Sequence, residues 1–290
     1  MLQSTSLMPA HISSFKLGGK NILVVSDGEV LYDINCFAPG IPKNDLNAVR
    51  EQKTDTIPLT HNILVLAWNE RVVLIDAGNG HTSGPQGGHL VNNLTIAGIT
   101  PEIVTDVVLT HAHPDHLGGL INIHNQLVFP AATVHIAKAE YDFWMSDTPD
   151  FTGSKNNLEA LRSVQQNIKR LLQALEGSLQ FFTESDYLFD FLQPIAAEGH
   201  TPGHFMFSVK CGDQQFIHIA DLCHEAIMLF EKPEWGTVFD IDFELAARVR
   251  RRVLNELAAS GKLVFGYHMP WPGFGRVVKK GNGFCWEICE

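Results

Sequence analysis

Thr110-His111-Ala112-His113-Pro114-Asp115-His116-Leu117-Gly118-Gly119 concentrates four side chains able to bind a cation within six residues. The stretch that leads into it, TDVVLTH (105–111), is β-branched and apolar and reads as a short buried strand. In extended chain alternate side chains share a face, so His111 and His113 point together toward one ion. Pro114 offers no N–H to a ladder and favours a turn. Such a turn swings Asp115 and His116 back toward a second position. Imidazole and carboxylate donors suit zinc, manganese, iron or cobalt better than a thiolate-preferring metal. A polar surface turn is the bland alternative, but four potential ligands rarely cluster this way without a cation to hold.

Outward from this stretch, the first half holds further short β-branched runs: NILVVSD (21–27), NILVLAW (62–68) and RVVLIDAG (71–78). The polar break WNER (68–71) makes 62–76 a β-hairpin. HLVNNLTIAGI (89–99) has helical apolar spacing and ends at a glycine. A second unit follows the same plan. AATVHIA (131–137) reads as a strand, KAEYDFWM (138–145) as a helix, and 156–177 as a long helix closed by Gly177. Strands are expected at 194–198, 205–210 and 215–220, then a helix over 242–261 with an acidic first turn and a glycine stop. KLVFGYHM (262–269) is expected to be the final strand. Strand pairs alternating with outer helices give an α/β layered fold. No linker divides the chain, so one domain over 1–290 is expected, with its core at about 20–280.

The formal net charge of −11 opposes binding to a phosphate backbone, so no nucleic-acid partner is expected. Five widely spaced cysteines without a CxxC pair fit a reducing compartment. MLQSTSLMPAHISSFKLGG lacks the basic and apolar regions of a secretory signal, and no apolar run approaches the roughly 18 residues of a membrane span. A cytoplasmic protein without membrane contact is therefore expected.

THAHPDHLGG resembles the HxHxDH signature of the metallo-β-lactamase superfamily, and further motifs of that family follow in order: Asp76 in LIDAG, His200 in GHTPGH, Asp221 in HIAD and His268 in FGYH. The resemblance implies a four-layer αββα sandwich holding two divalent metal ions, zinc first, with manganese, iron or cobalt as alternatives. It places His111, His113 and His200 on one ion, and Asp115, His116 and His268 on the other. Asp221 bridges them, and Asp76 supports the site without touching an ion. The late stretch, from Asp221 through AIMLFEKPEWGTVFDID (226–242) to HMPWPGFG (268–275), is similar to the methyl parathion hydrolase branch and the N-acyl homoserine lactonases. That similarity implies a hydrolase of small esters (lactone, aryl ester or phosphotriester) in which a metal-bridging hydroxide attacks. Asp115 and Asp221 are then the catalytic carboxylates, and a homodimer is compatible with the resemblance. Two alternatives share the ligand set: an iron-loaded redox or oxygenase protein, and a β-lactamase.

Of the remaining candidates, His224 is placed three residues past Asp221, to meet substrate or orient that carboxylate. His204 is expected to support the site by a hydrogen bond, and His218 to face away. His61, His81, His89, His124 and His135 have no partner spacing and read as surface or core. Trp271 and Phe274, just past His268, are the expected walls of the substrate pocket. Phe143 and Trp144 read as helix core and Cys223 as a small buried apolar residue.

Overall fold

The computed structural model describes residues 3–4, 10–82 and 84–289. Eight strands form a first sheet in sequence order: β1 (Gln3–Ser4), β2 (Ile12–Leu17), β3 (Lys20–Asp33), β4 (Thr56–Trp68), β5 (Arg71–Ile75), β6 (Asp106–Val108), β7 (Thr133–Ala137) and β8 (Leu179–Phe182). Neighbours are antiparallel up to β5 and parallel from β5 to β8. The second sheet is built from β9 (Leu192–Ala196), β10 (Phe205–Cys211), β11 (Gln214–His218), β12 (Leu263–Phe265), β13 (Phe274–Lys280) and β14 (Gly283–Ile288). Its order is β14-β13-β12-β11-β10-β9, with β11 and β12 parallel and the other neighbours antiparallel.

Strand alternation sends one set of side chains from each sheet into a shared core. Ile22, Val24, Leu64, Leu66, Val73 and Ile75 of the first sheet meet Phe205, Phe207, Val209, Phe216 and Phe265 of the second. Each fully buried phenylalanine stabilises the sandwich by about 1.5–3 kcal/mol. The opposite faces are covered by helices. Leu90 and Leu94 of α2 (Leu90–Ile96) and Leu161, Ile168, Leu171 and Leu172 of α5 (Leu158–Ala174) cover Val25, Val65, Leu74 and Val107. Val253, Leu254 and Leu257 of α7 (Phe243–Ser260) cover Ile217 and Val264. The layers therefore run helix, sheet, sheet, helix. The remaining helices are α1 (Lys43–Arg50), α3 (Pro114–Leu117), α4 (Lys138–Met145) and α6 (Met228–Glu231). Among the described residues no helix is long and apolar enough to cross a membrane.

The hairpin at WNER closes through Asn69 and Glu70, both left-handed (φ 51° and 64°), as a two-residue turn of matching twist requires. Asp242 caps α7 by accepting from Leu245 N, and Gly261 ends it in the left-handed region. Three expectations are corrected. KLVFGYHM is not the final strand: β12 stops at Phe265, the chain turns at Gly266, and β13 and β14 follow. At Gly266 a Cβ would lie 2.2 Å from the Met269 side chain, so the chain folds back tightly there. The sheets also reach past residues 20 and 280, because β2 and β14 are paired members of them. Finally, α5 ends at Ala174, and Gly177 lies in a following 3-10 turn.

Candidate metal centre

The site forms where β5, β6, β11 and β12 end and their connecting loops leave the sheets. Asp76 follows β5 at φ 65°, and Ala220, before Asp221, sits at φ 46°. Left-handed backbone costs a non-glycine residue about 1–2 kcal/mol, and such strain gathers at sites whose geometry the surrounding fold imposes. His113 is extended and precedes α3, whose first residue is Pro114; a proline there loses no hydrogen bond. The single turn of α3 brings Asp115 and His116 back beside His111, as the sequence predicts.

Three groups of donor atoms result among the described residues, each within 4.8 Å internally: His111, His113 and His200; Asp115, His116, Asp221 and His268; and, overlapping both, His200, Asp221 and His224. In the first, His111 Nε2, His113 Nδ1 and His200 Nε2 lie 2.9–3.2 Å from one another. In the second, Asp115 Oδ2 lies 3.7 Å from His116 Nε2 and 3.5 Å from His268 Nε2. Asp221 reaches both: Oδ1 is 3.2 Å from His116 Nε2, and Oδ2 is 3.3 Å from His268 Nε2 and 3.5 Å from His200 Nε2.

These residues fit a pair of divalent cations. Around a tetrahedral zinc with Zn–N of about 2.0–2.1 Å, ligand nitrogens stand about 3.3 Å apart, close to the spacing in the three-histidine group. His116 Nε2, His268 Nε2 and Asp221 Oδ1 are buried without a hydrogen bond. Buried polar atoms are normally satisfied, and a cation would satisfy these.

His111, His116, His200 and His268 are each held through the other ring nitrogen, His111 by Thr110 Oγ1 at 3.0 Å, which fixes the tautomer that faces the centre. His116 Nδ1 lies 2.8 Å from Asp76 Oδ2, whose carboxylate also accepts from the Thr110 amide and hydroxyl. His268 Nδ1 donates to Thr60 O at 2.8 Å, and His200 Nδ1 contacts Asp240 Oδ1 at 2.8 Å. His204 donates from Nδ1 to Ala197 O and accepts the Asp221 N–H at Nε2. It steadies Asp221 with no nitrogen left for a metal. Glu140 ties three parts of the site together, accepting from Ala112 N, Thr201 Oγ1, Gly203 N and Trp144 Nε1. His218 faces away and accepts Ala220 N.

Charge is divided unevenly between the two groups. Burial drives His113 down to about 3 and His111 well below the ordinary imidazole value, so both are neutral near pH 7. Burial alone would do the same to His268 and His116. Instead, the carboxylates beside them, Asp221 first, raise His268 to about 9 and His116 well above 6.5. Against their own burial, Asp115 and Asp221 are held well below the usual carboxylate range, with the positive charge of His116 the main cause.

A cavity of about 430 Å³ opens beside the centre. Asp115, Asp221, His224 and His268 line it together with Val30, Leu59, Val238, Phe239 and Ile241. The pocket assignment of Trp271 and Phe274 is corrected here, because neither lines this cavity. Phe274 is fully buried between the sheets, its ring 5.0 Å from those of Phe15 and Phe265, and Trp271 packs against the same core. Both follow His268 closely in sequence, but β13 turns its first residue inward. Trp144, expected as core, is buried and also lines the cavity. His224 is 2% exposed, lies 3.3 Å from Asp221 Oδ2, and closes no hydrogen bond at either ring nitrogen. Sequence reasoning missed Asp240, Glu140, Tyr32 and His61. The first two are lone carboxylates without ligand spacing, and Tyr32 and His61 lie far upstream on strands.

Residues 56–268 match the family described as the metallo-beta-lactamase superfamily. Among curated proteins, the chain is 26% identical over 157 residues to the probable metallo-hydrolase YqgX of Bacillus subtilis; the match takes in 54% of this chain and 64% of that protein's length. Among solved structures it is similar to AidC, a dizinc quorum-quenching lactonase in complex with a product, at TM-score 0.92 and 32% identity over 96% of this chain and 97% of that one. It is also similar in fold to the hydrolase AbOPH, at TM-score 0.87 and 24% identity over 98% of this chain and 99% of that one. With the family pattern spanning the strands that carry the ligands, the chain belongs to the metallo-β-lactamase superfamily and stands among its metal-dependent hydrolases.

Proposed function

We propose that the protein is a dinuclear zinc hydrolase of small esters, with a lactone carrying an apolar chain as its preferred substrate. The observation that carries this reading is Asp221, which stands within 3.5 Å of a histidine nitrogen from each of the two donor groups. The ligand sets are His111, His113 and His200 for one cation and Asp115, His116 and His268 for the other, shared through Asp221. Two such cations, when bound, would lower the pKa of a coordinated water and polarise an ester carbonyl.

The chain's own residues supply the rest. The apolar wall of Val30, Leu59, Val238, Phe239 and Ile241 takes the substrate's hydrocarbon part out of water. At the polar end, His224 has free hydrogen-bonding capacity toward the substrate. Tyr32 lines the same cavity, and burial, with the nearby charges of Asp115 and Asp221, raises its phenol, which stays protonated and able to donate. Asp115 lines the cavity as a carboxylate; it takes up the proton released by the attacking water and passes it to the departing alkoxide oxygen. The dizinc lactonase at 32% identity supports a lactone over other esters.

The test is a substrate panel on the zinc-loaded protein: N-acyl homoserine lactones, aryl esters, a paraoxon-type triester and a cephalosporin, each against His113→Ala. Lactone turnover well above that variant is expected, with the triester slower. Equal rates for both proteins on every compound would remove the hydrolase reading. A cephalosporin turned over faster than any lactone would replace the substrate assignment.

A further inference from the structure

His61 has no role in the ligand set, yet it is fully buried beside it. Its Nε2 lies 3.5 Å from Asp115 Oδ2, and its ring meets those of His268 and Tyr267 edge to face, with centroids 5.0 and 5.7 Å away. Neither ring nitrogen closes a hydrogen bond to its surroundings. A buried imidazole without partners is a costly feature, because an unsatisfied buried donor loses about 1–3 kcal/mol. The two neutral tautomers differ in what they leave bare. With the proton on Nε2, the donor faces the Asp115 carboxylate and only the Nδ1 lone pair lacks a partner, which is the less costly arrangement.

The placement of His61 is set by both of its neighbours in β4. Thr60 O accepts from His268 Nδ1, and Thr60 Oγ1 donates to Met269 O. Asn62 donates from Nδ2 to Gly266 O and Met269 O, and from its backbone to Tyr267 O. Three consecutive residues of a first-sheet strand thus grip the loop that carries His268 from the second sheet. Tyr267 closes the ring of contacts by donating its hydroxyl to Asp115 O and stacking on His116, with centroids 4.0 Å apart. His61 stands outside the four-residue group whose donor atoms share one position. It touches that group through the Asp115 carboxylate.

We propose that His61 is a positioning residue for the second cation: its Nε2–H fixes the carboxylate of Asp115 in the orientation that binds metal. The inference rests on the two-cation reading above. A neutral donor suits this place, because its N–H attracts the carboxylate across 3.5 Å without competing for its negative charge. Groups that orient a metal ligand in this way are worth about 10–100-fold in metal affinity.

The experiment titrates zinc into the metal-free protein against a chromophoric chelator, with no substrate present, for wild type, His61→Phe and His61→Gln. Wild type is expected to bind two cations. His61→Phe keeps an aromatic ring but has no donor, and should lose about 10–100-fold in affinity for one cation while the other is unchanged. His61→Gln returns an N–H near the same position and should recover most of that loss. If the phenylalanine variant does not fold, His61→Leu, smaller and equally unable to donate, takes its place. Two unchanged affinities in the apolar variant would overturn the inference, as would a glutamine variant no better than phenylalanine. Fewer than two cations on wild type would overturn the two-cation reading instead. Because no ester is used, a failure of the substrate assignment leaves this result untouched.

Discussion

Replacing Asp221 with alanine is expected to lower kcat/KM on a lactone by at least about 10³-fold and to leave the purified protein with fewer than two cations. Asp221 is the side chain within reach of histidine nitrogens from both donor groups, so its loss weakens both positions at once. Metal ions contribute several kcal/mol of charge stabilisation in such reactions, and about 4 kcal/mol corresponds to 10³ in rate. The carboxylate is also held in place from behind, by the His204 ring that accepts its amide N–H. The alanine variant keeps that backbone contact, so its folded structure should persist. Metal content by elemental analysis and lactone kinetics with added zinc check the two halves of the prediction separately.

The second large effect is on the pH dependence of metal uptake, and it should differ between the two positions. In the metal-free protein His116 stands well above 6.5 and His268 at about 9, so both carry protons at neutral pH. A cation can take their nitrogens only after those protons leave. His111 and His113 are pushed down by burial and are already neutral. The sign follows directly. Affinity of the Asp115–His116–His268 position should rise with pH up to about 9, by as much as about 100-fold per pH unit if both protons are released. For the three-histidine position, His111 and His113 add no such dependence near neutrality. Calorimetric titration at pH 7 in buffers of different ionisation enthalpy counts the protons: about two for the second cation is the expected result, and equal release by both cations would contradict it.

Much of this centre was legible because its densest part is contiguous. THAHPDH joins a strand to a proline-started turn, so local geometry alone brings His111, His113, Asp115 and His116 together. Asp76, His200, Asp221 and His268 were legible by resemblance, since each sits in a short motif at the end of a strand. The supporting groups were not. Asp240, Glu140 and His61 act through contacts made only when distant segments fold together, and a lone acid or histidine carries no spacing signal. The pocket was misplaced for a related reason. Trp271 and Phe274 are neighbours of His268 in sequence, but the turn after β12 sends Phe274 between the sheets. The cavity instead draws on β3 and β4 and on the segment before α7, far apart in the chain. Likewise β13 and β14, with several charged and polar residues, lacked the apolar runs that marked the inner strands.

In the proposed centre seven side chains hold two cations side by side. A crystal structure of the zinc-soaked protein, with anomalous difference density measured on both sides of the zinc edge, tests it most directly. Two peaks are predicted, one among His111, His113 and His200 and one among Asp115, His116 and His268, with Asp221 touching both. A single peak, or density that leaves Asp221 outside the coordination of either ion, would rule out the two-cation centre.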